Sequence, residues 1–518
     1  MIRSTRGAEP GASDERARYL SHSAISISTR DRLAIAGILR TDTIADLQPD
    51  ALVDALLPHD ADLVLGSTLP DLVLVESGAL GGGHPWAGAG EPSVADMARR
   101  LLRVVDVARS LGRPTVLWWT GARHAMPGLI PFEARFDLVV ATDPDQDGGT
   151  DMAWSPGVRL ARFNPLGIDP TRSFRPVLHA DWDEVPIHGV QNFTEAALGH
   201  LAAGDVEVWM DAGSVTAEPW LTSPVGTHAV RRVAPAETPD LYRTHGLFLA
   251  DPLTCPGGVG QVSQRTLRQL ASGARVVSGP NGRLTSALGD WIEACPDPAA
   301  LGTAISEATA LGPRTAPDLR RLLRTLFLDH ETGRSLLTLA HLLEIDAPMP
   351  RRQVCVVVRL ERGANVADVV DDLTLQHHRP AEALVVADDP AEGRAAIRGL
   401  GRIGIPARSL PPPGPGIGLT RWAADRASAG WLWVWSPRHR PDPDFLVDAL
   451  TAGSMTEASA IGRIPGRGDG FTPGDGLEAH IVSRGAASSM PAGPVGWSPA
   501  WAARGATVYA VGSETGGA

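Results

Sequence analysis

Residues 251–279, DPLTCPGGVGQVSQRTLRQLASGARVVSG, decide how this chain is read. A Cys-Pro-Gly-Gly loop with Gly257 and Gly258 leads into a segment in which Val259, Val262, Leu267, Leu270 and Ala271 fall near helical spacing. Gly273 and a short apolar run follow, so the order is loop, helix, glycine stop, strand. A glycine-rich loop opening a helix presents free backbone N–H groups and the positive end of the helix dipole, which suits a phosphate. The same two glycines also serve a plain turn, their commonest use. The rest of the chain has to decide between the two.

The 518 residues, 43% hydrophobic and 20% charged, are enough for two to four domains of a soluble globular class. A formal net charge of −12 and the lack of a basic tract argue against a nucleic-acid partner. Cys255, Cys295 and Cys355 are too few and too scattered for a disulfide framework or a tetrahedral zinc site, which fits a reducing compartment. The chain has no lysine, so all 47 basic residues are arginine. A phosphate-loop lysine, a Schiff-base lysine and a lysine general base are thereby excluded, and arginine must do any phosphate clamping.

Residues 1–30 read as a loose polar tail without the apolar core of a signal peptide. No later run reaches membrane-spanning length, so the expected location is cytoplasmic, with peripheral membrane association left open. From Arg32, the strand RLAIAGIL is followed by an apolar-periodic segment through Leu57, the strand DLVLVES (71–77) and the loop GALGGGHPW. A helix over 94–111 and the strands PTVLWWT (114–120) and FDLVVATD (136–143) complete an alternating unit over 31–180. Strands separated by helices imply a parallel sheet, whose ligands sit at the carboxyl ends of strands. Glu76, Gly81, Gly82, Gly83, His84, Trp118, Thr120 and Arg123 fall at such ends.

A second unit over 181–345 has strands at 206–213, 227–233, 247–251 and 274–279, with Gly213 closing the first of them, and a helical close over 318–345. Residues 346–352, with two prolines, read as a linker. A third unit over 353–518 opens with QVCVVVRL, a helix through Leu375 and ALVVADD, then a proline-rich loop, WLWVWS and the helix PDFLVDAL. Beyond Ala452, glycine, serine and proline leave little periodic signal.

These residues carry a resemblance. The run from IAGIL through DLVLVESGALGGGHPW, GRPTVLWW and FDLVVATD resembles the N-terminal half of the CgeB-like (spore maturation protein) glycosyltransferases, with Glu76 and Trp86 matching. Arg265, Ala271 and Gly273 match the family's later helix, and His330, Thr332 and Arg334 resemble its closing helix, so the likeness spans about 31–345. It implies an α/β chain with a GT-B fold: two Rossmann-like domains about a cleft, the acceptor on the first and the nucleotide-sugar donor on the second. The third unit resembles family 2 glycosyltransferases of the GT-A fold through VCVVVRL, LQHHRP, ALVVADD and WLWVWSPRHRPDPDFL. There Asp388 and Asp389 stand where that family contacts the nucleotide, but its metal-binding Asp-x-Asp falls on Ser436-Pro437-Arg438. A divalent cation needs oxygen ligands and an arginine repels it, so this unit is expected to be a degenerate GT-A-like domain.

What the resemblance implies is a metal-independent glycosyltransferase of hexosyl type, acting on a cell-surface or spore-surface glycan or glycolipid. A nucleotide-sugar is the co-substrate and no cofactor is implied. Sugar transfer passes through an oxocarbenium-like state, and the departing diphosphate needs its charge stabilised. Gly257, Gly258, Gln261 and Arg265 are the candidates for that, with Gly213, Asp388 and Asp389 as further donor contacts. Arg268 stands where many GT-B enzymes hold the donor ribose with a glutamate; it cannot accept a hydrogen bond but is able to meet a phosphate. Glu76 and His84 are the candidate bases for the acceptor hydroxyl, with a loop brace and a surface turn as their bland alternatives. Trp118 and Trp119 alternate faces on one strand, so one is expected in the core and the other is able to stack on a sugar or base, with core packing the favoured reading for either alone. The alternative function is a non-catalytic pseudo-glycosyltransferase that binds a glycan or partner enzyme. Neither glycine cluster has the dinucleotide fingerprint with its downstream acid, which disfavours an oxidoreductase.

Overall fold

A computed structural model describes residues 32–81, 83–91, 93–121, 123, 126–142, 152–180, 206–211, 230–250, 262–279, 282–295, 297–437, 442–464, 468–472, 480–489 and 506–512. Gly257, Gly258, Gln261 and Gly213 therefore lie outside the described residues, as do the whole loop 251–261 and Arg438.

The first sheet contains β1 (Leu33–Ile38), β2 (Ala51–Ala55), β3 (Leu72–Glu76), β4 (Thr115–Trp119) and β5 (Leu138–Ala141). Its order is β2-β1-β3-β4-β5, with all neighbours parallel. The apolar runs that make β1, β3 and β4 are buried at every position, as a parallel sheet covered on both faces requires. Alternate side chains divide between two cores. Ala36, Ile38, Val73, Val75, Leu117 and Trp119 pack under the helices Ala61–Thr68 and Ala95–Ser110. Leu33, Ile35, Leu72, Leu74, Val116 and Trp118 face the other way. That second face is covered partly from far along the chain, by Leu336 and Leu339 of the helix Thr332–Leu342. The sequence read one apolar-periodic segment after β1; it is instead the helix Thr41–Leu47 followed by β2.

The second sheet contains β6 (Val177–Ala180), β7 (Glu207–Asp211), β8 (Val230–Val233), β9 (Leu247–Leu249), β10 (Arg275–Ser278) and β11 (Glu293–Ala294). It is parallel throughout, in the order β11-β10-β9-β6-β7-β8. Its first strand, β6, lies upstream of the boundary drawn at residue 181. The helix Gln264–Ala271 leads into β10, as its sequence predicts. Ser263 caps it by accepting the Thr266 N–H. Gly273 ends it at φ +72°, where the Ala274 N–H reaches back to the Gln269 carbonyl.

Two strands of chain cross between these units side by side. The Val158 N–H donates to the His330 carbonyl and the Thr332 N–H to the Val158 carbonyl. Gly157 (φ +71°) lies so close that an added Cβ would stand 2.2 Å from the His330 oxygen. The segment read as one helix over 318–345 is therefore two, Ala316–Thr325 and Thr332–Leu342, separated by a π-helical turn (Leu326–His330) and by Glu331, which is extended.

The third unit holds β12 (Val354–Leu360), β13 (Glu382–Ala387), β14 (Ala407–Ser409), β15 (Trp431–Trp435), β16 (Ala460–Gly462), β17 (Gly470–Thr472), β18 (His480–Ser483) and β19 (Val508–Ala510). They form one mixed sheet in the order β14-β13-β12-β15-β18-β16-β19-β17. The last four strands come from the glycine- and serine-rich region that the sequence left nearly blank. Residues 346–352 are packed rather than loose. Met349 is buried, and the Arg352 guanidinium pairs with the buried Glu331 carboxylate and lies 4.0 Å from the Phe327 ring centroid. Arg324 also ties the second unit to the third, with Nε 2.9 Å from Asp448 and Nη1 2.7 Å from Asp444. The chain is thus α/β, with two parallel-sheet units followed by a third α/β unit built on a mixed sheet.

Candidate functional site

In an open parallel sheet, ligands gather where neighbouring strands send their following loops to opposite faces. In the first sheet that point lies between β1 and β3, where the chain continues into Arg40 and into Ser77. Glu76 ends β3 there and is fully buried. One of its oxygens, Oε2, accepts the Arg40 backbone N–H at 2.9 Å, and Oε1 is 3.1 Å from the Arg40 Nε. Burial pushes the Glu76 carboxyl up from its ordinary range, against the pull of the Arg40 charge and N–H and of a Thr43 hydrogen bond. Arg40 is itself half exposed and also reaches Asp42 at 3.2 Å. In this geometry Glu76 braces the turn after β1.

His84 sits on the same crossing of loops, half-buried. Its Nε2 lies 3.2 Å from the Leu39 carbonyl and its Nδ1 accepts the Trp86 N–H at 3.3 Å. That pairing assigns the proton to Nε2, and burial lowers the ring's pKa, so the imidazole is neutral with both nitrogens engaged. Trp86 is buried and donates to the Leu56 carbonyl at 2.8 Å. Catalytic hydrogen bonds often form only with substrate in place, so these contacts define the resting arrangement of both groups.

The loop after β3 is stitched to the end of β4. The Thr120 N–H donates to the Ser77 hydroxyl at 2.9 Å, and the Gly78 N–H donates to Thr120 Oγ1 at 3.0 Å. A Cβ at Gly78 would stand 2.8 Å from that Oγ1, so the stitch requires glycine. Both tryptophans of β4 are packed in the interior, the core placement favoured for each from the sequence, and neither is available for stacking. Trp118 packs edge-on to Trp154 at 5.2 Å and donates to Thr142. Trp119 donates to Glu133 Oε1, the oxygen that also accepts from Arg123 at 2.7 Å. Bulky aromatic rings on a strand covered on both faces have no open side.

In the second sheet the corresponding point lies between β6 and β9, and the chain leaving β9 is the one that runs into residues 251–261. The stretch that opened the sequence reading therefore starts at the switch point of its sheet. Arg265 lies partly exposed in the first turn of the helix that follows. Arg268, one turn further on, is engaged with the first unit. Its Nη2 reaches the buried Asp46 of the first unit at 2.5 Å, and its guanidinium lies 5.1 Å from the Phe163 ring centroid. Asp46 lies in the last turn of the helix Thr41–Leu47, where it draws Arg268 and also stands 3.6 Å from Arg162.

In the third unit, Asp388 pairs with Arg359 at 3.4 Å, at the ends of neighbouring strands, and Asp389 caps the helix Pro390–Arg402 by accepting the Ala391 N–H. Both carboxylates thus have structural partners. Among the described residues, no three His, Cys, Asp or Glu side chains are gathered in a way that would hold a metal ion. Sequence reasoning passed over Arg40, Ser77 and Thr43; the signal for Arg40 was its place directly after the apolar run of β1.

No protein-family model matches the chain, and no curated protein matches it. Among solved structures, AviGT4, a glycosyltransferase involved in avilamycin A biosynthesis, superposes over 60% of this chain and 96% of its own, at 15% identity and a TM-score of 0.38. A glycosyltransferase from Rickettsia africae ESF-5 does so over 61% and 98%, at 10% identity and a TM-score of 0.36. A C2-type ketoreductase from a modular polyketide synthase gives 14% identity over 73% and 93%, with a TM-score of 0.16. At these scores the superpositions are loose, and neither fold nor function is assigned from them.

Proposed function

We propose that the protein is a glycosyltransferase that moves a sugar from a nucleotide-sugar to a cell-surface or spore-surface glycan or glycolipid, without a metal. The observation that carries this reading is positional. The two loops singled out in the sequence, 76–86 and 251–261, leave the carboxyl ends of strands at the switch points of two successive parallel sheets. On this reading the loop with Gly257, Gly258 and Gln261, together with Arg265, holds the donor diphosphate. Arg265 supplies positive charge as the leaving group develops its own negative charge. Glu76, its pKa raised by burial, or His84 takes the acceptor proton once substrate loosens its present contacts. Arg268 is assigned to the junction between units and not to the donor.

A second reading, a non-catalytic scaffold for a glycan or partner enzyme, is favoured by the complete burial of Glu76 against Arg40 and by the committed Asp388 and Asp389. One experiment separates them. The full chain is screened by thermal shift against UDP-, GDP- and dTDP-sugars, and any stabilising donor is then assayed for hydrolysis and transfer. The transferase reading requires stabilisation by at least one donor, weakened by Arg265→Ala, and turnover that falls in Glu76→Gln. If no donor shifts the transition or is turned over, the scaffold reading takes its place.

A further inference from the structure

An open cavity of about 420 Å³ lies beside the crossing between the first two units, and three of the residues lining it are arginines: Arg159, Arg162 and Arg243. A single carboxylate, Asp240, lines it with them. This is unusual charge for a chain of net −12. The geometry points to a binding site for a phosphoryl anion in this cavity, apart from the proposed donor loop and independent of the transferase reading.

The three side chains come from two places. Arg159 and Arg162 ride on the segment that crosses between units, and Arg243 on the helix Thr238–Thr244 after β8. Each is anchored by contacts that leave other donors over. Arg159 Nη1 donates to the Ala45 carbonyl at 2.5 Å, Arg162 Nη2 donates to the Pro235 carbonyl, and Arg243 Nη1 meets Asp240 at 3.0 Å. Of the interior acids near Arg159, Asp46 is already taken by Arg268 at 2.5 Å and stands 3.6 Å from Arg162, and Asp50 is shared with Arg351 and Arg352. Arg159 Nε is a buried N–H donor without a hydrogen-bond partner.

A buried donor without an acceptor costs free energy, and half-buried guanidinium groups crowded together repel. An anion with several oxygens relieves the repulsion, because each guanidinium carries five N–H groups in a planar fork and can turn its outward-facing ones to the anion. A phosphate or pyrophosphate matches the charge and the fork geometry, and the open cavity has room for either. A carboxylic acid offers only two oxygens, and a neutral ligand leaves the repulsion in place. Free phosphate esters and anionic lipid headgroups share this chemistry.

Modification of the native full-length protein with phenylglyoxal, followed peptide by peptide by mass spectrometry, tests the site by position. Inorganic pyrophosphate is expected to slow modification of Arg159 and Arg243 by roughly fivefold or more, as charge-assisted bonds to a bound anion occupy their N–H groups. The exposed Arg99, on a remote helix, is expected to react at an unchanged rate. Vesicles containing phosphatidylglycerol form the second arm; protection by them and not by pyrophosphate identifies a headgroup as the source. The variant Arg243→Gln, at a partly exposed helix position, should fold and should lose the protection of Arg159. The proposal is overturned if neither probe protects Arg159 and Arg243, or if protection of Arg159 persists unchanged in Arg243→Gln.

Discussion

The contact between Arg268 and Asp46 can be isolated by a double-mutant cycle of Arg268→Ala and Asp46→Ala. Asp46 is 1% exposed and the Arg268 side chain 16% exposed, so the pair is largely removed from water. Coulomb attraction at this separation is strong in a protein interior, but both charges were desolvated to make it, and the net value is smaller. Asp46→Ala leaves Arg268, Arg162 and Arg159 without their shared acid, at an expected cost of about 3 kcal/mol. Arg268→Ala leaves Asp46 with Arg162 at 3.6 Å and Arg159 nearby, and also removes the stacking on Phe163, so about 2 kcal/mol is expected. The double variant should fall short of their sum by roughly 1.5 kcal/mol or more. Urea denaturation, followed by tryptophan fluorescence in all four proteins, provides the numbers. Additivity within about 0.5 kcal/mol would refute the reasoning, because sites that do not interact add to that tolerance. A donor role for Arg268 predicts something else, namely unchanged stability with loss of nucleotide-sugar binding.

Three further outcomes follow from the junctions. His378 is partly buried, with Nε2 3.0 Å from the Arg352 carbonyl, and desolvation, aided by the Arg352 charge, lowers its pKa to about 4. Since the folded value lies below the unfolded one of about 6.5, its stabilising neutral form is complete above that pH and is lost as pH falls toward 4. At pH 5 the loss relative to pH 8 comes to about 2 kcal/mol, and chemical denaturation of His378→Gln should show that much less acid sensitivity than the parent. Gly157→Ala forces a Cβ against the His330 carbonyl at a positive φ, and should lower the melting temperature sharply or prevent soluble expression, whereas Gly121→Ala, in open space, should not. Arg324→Ala strips Asp444 and Asp448 of a shared partner and should cost about 3 kcal/mol at the boundary of the third unit, visible as faster proteolysis between units.

The two parallel sheets were legible because strands such as LAIAGI and LVLVE are continuous apolar runs bounded by turn residues, a pattern with one common explanation. The helix Gln264–Ala271, with its serine cap and glycine stop, was legible for the same local reasons. What escaped depended on partners distant in sequence. Strands β16 to β19 are three or four residues long and owe their place to the neighbours they pair with. The break at Glu331 arises because the chain must cross to the first unit, which no nearby residue announces. At the site, the position of Glu76 at a strand end could be read, but its burial against Arg40, 36 residues earlier, could not. The departure of Arg268 from the expected glutamate was plain in the sequence, and its partner, Asp46, lies 222 residues away.

The long return of the helix Thr332–Leu342 onto the first sheet also bears on how the protein is made. Leu33, Ile35, Leu72 and Leu74 share a core with Leu336 and Leu339, so one face of the first sheet stays incompletely covered after its own strands have been synthesised. Roughly 190 residues separate the end of β5 from that helix, and at about 5–20 residues per second a ribosome needs on the order of 10 to 40 seconds to supply them. During that interval the nascent first unit presents an apolar face that its own residues, such as Leu39 and Leu47, cover only in part, the kind of surface that general chaperones hold. A chain stopped before the helix would keep that face permanently open, so truncation at the second unit should yield aggregates, not a smaller folded protein.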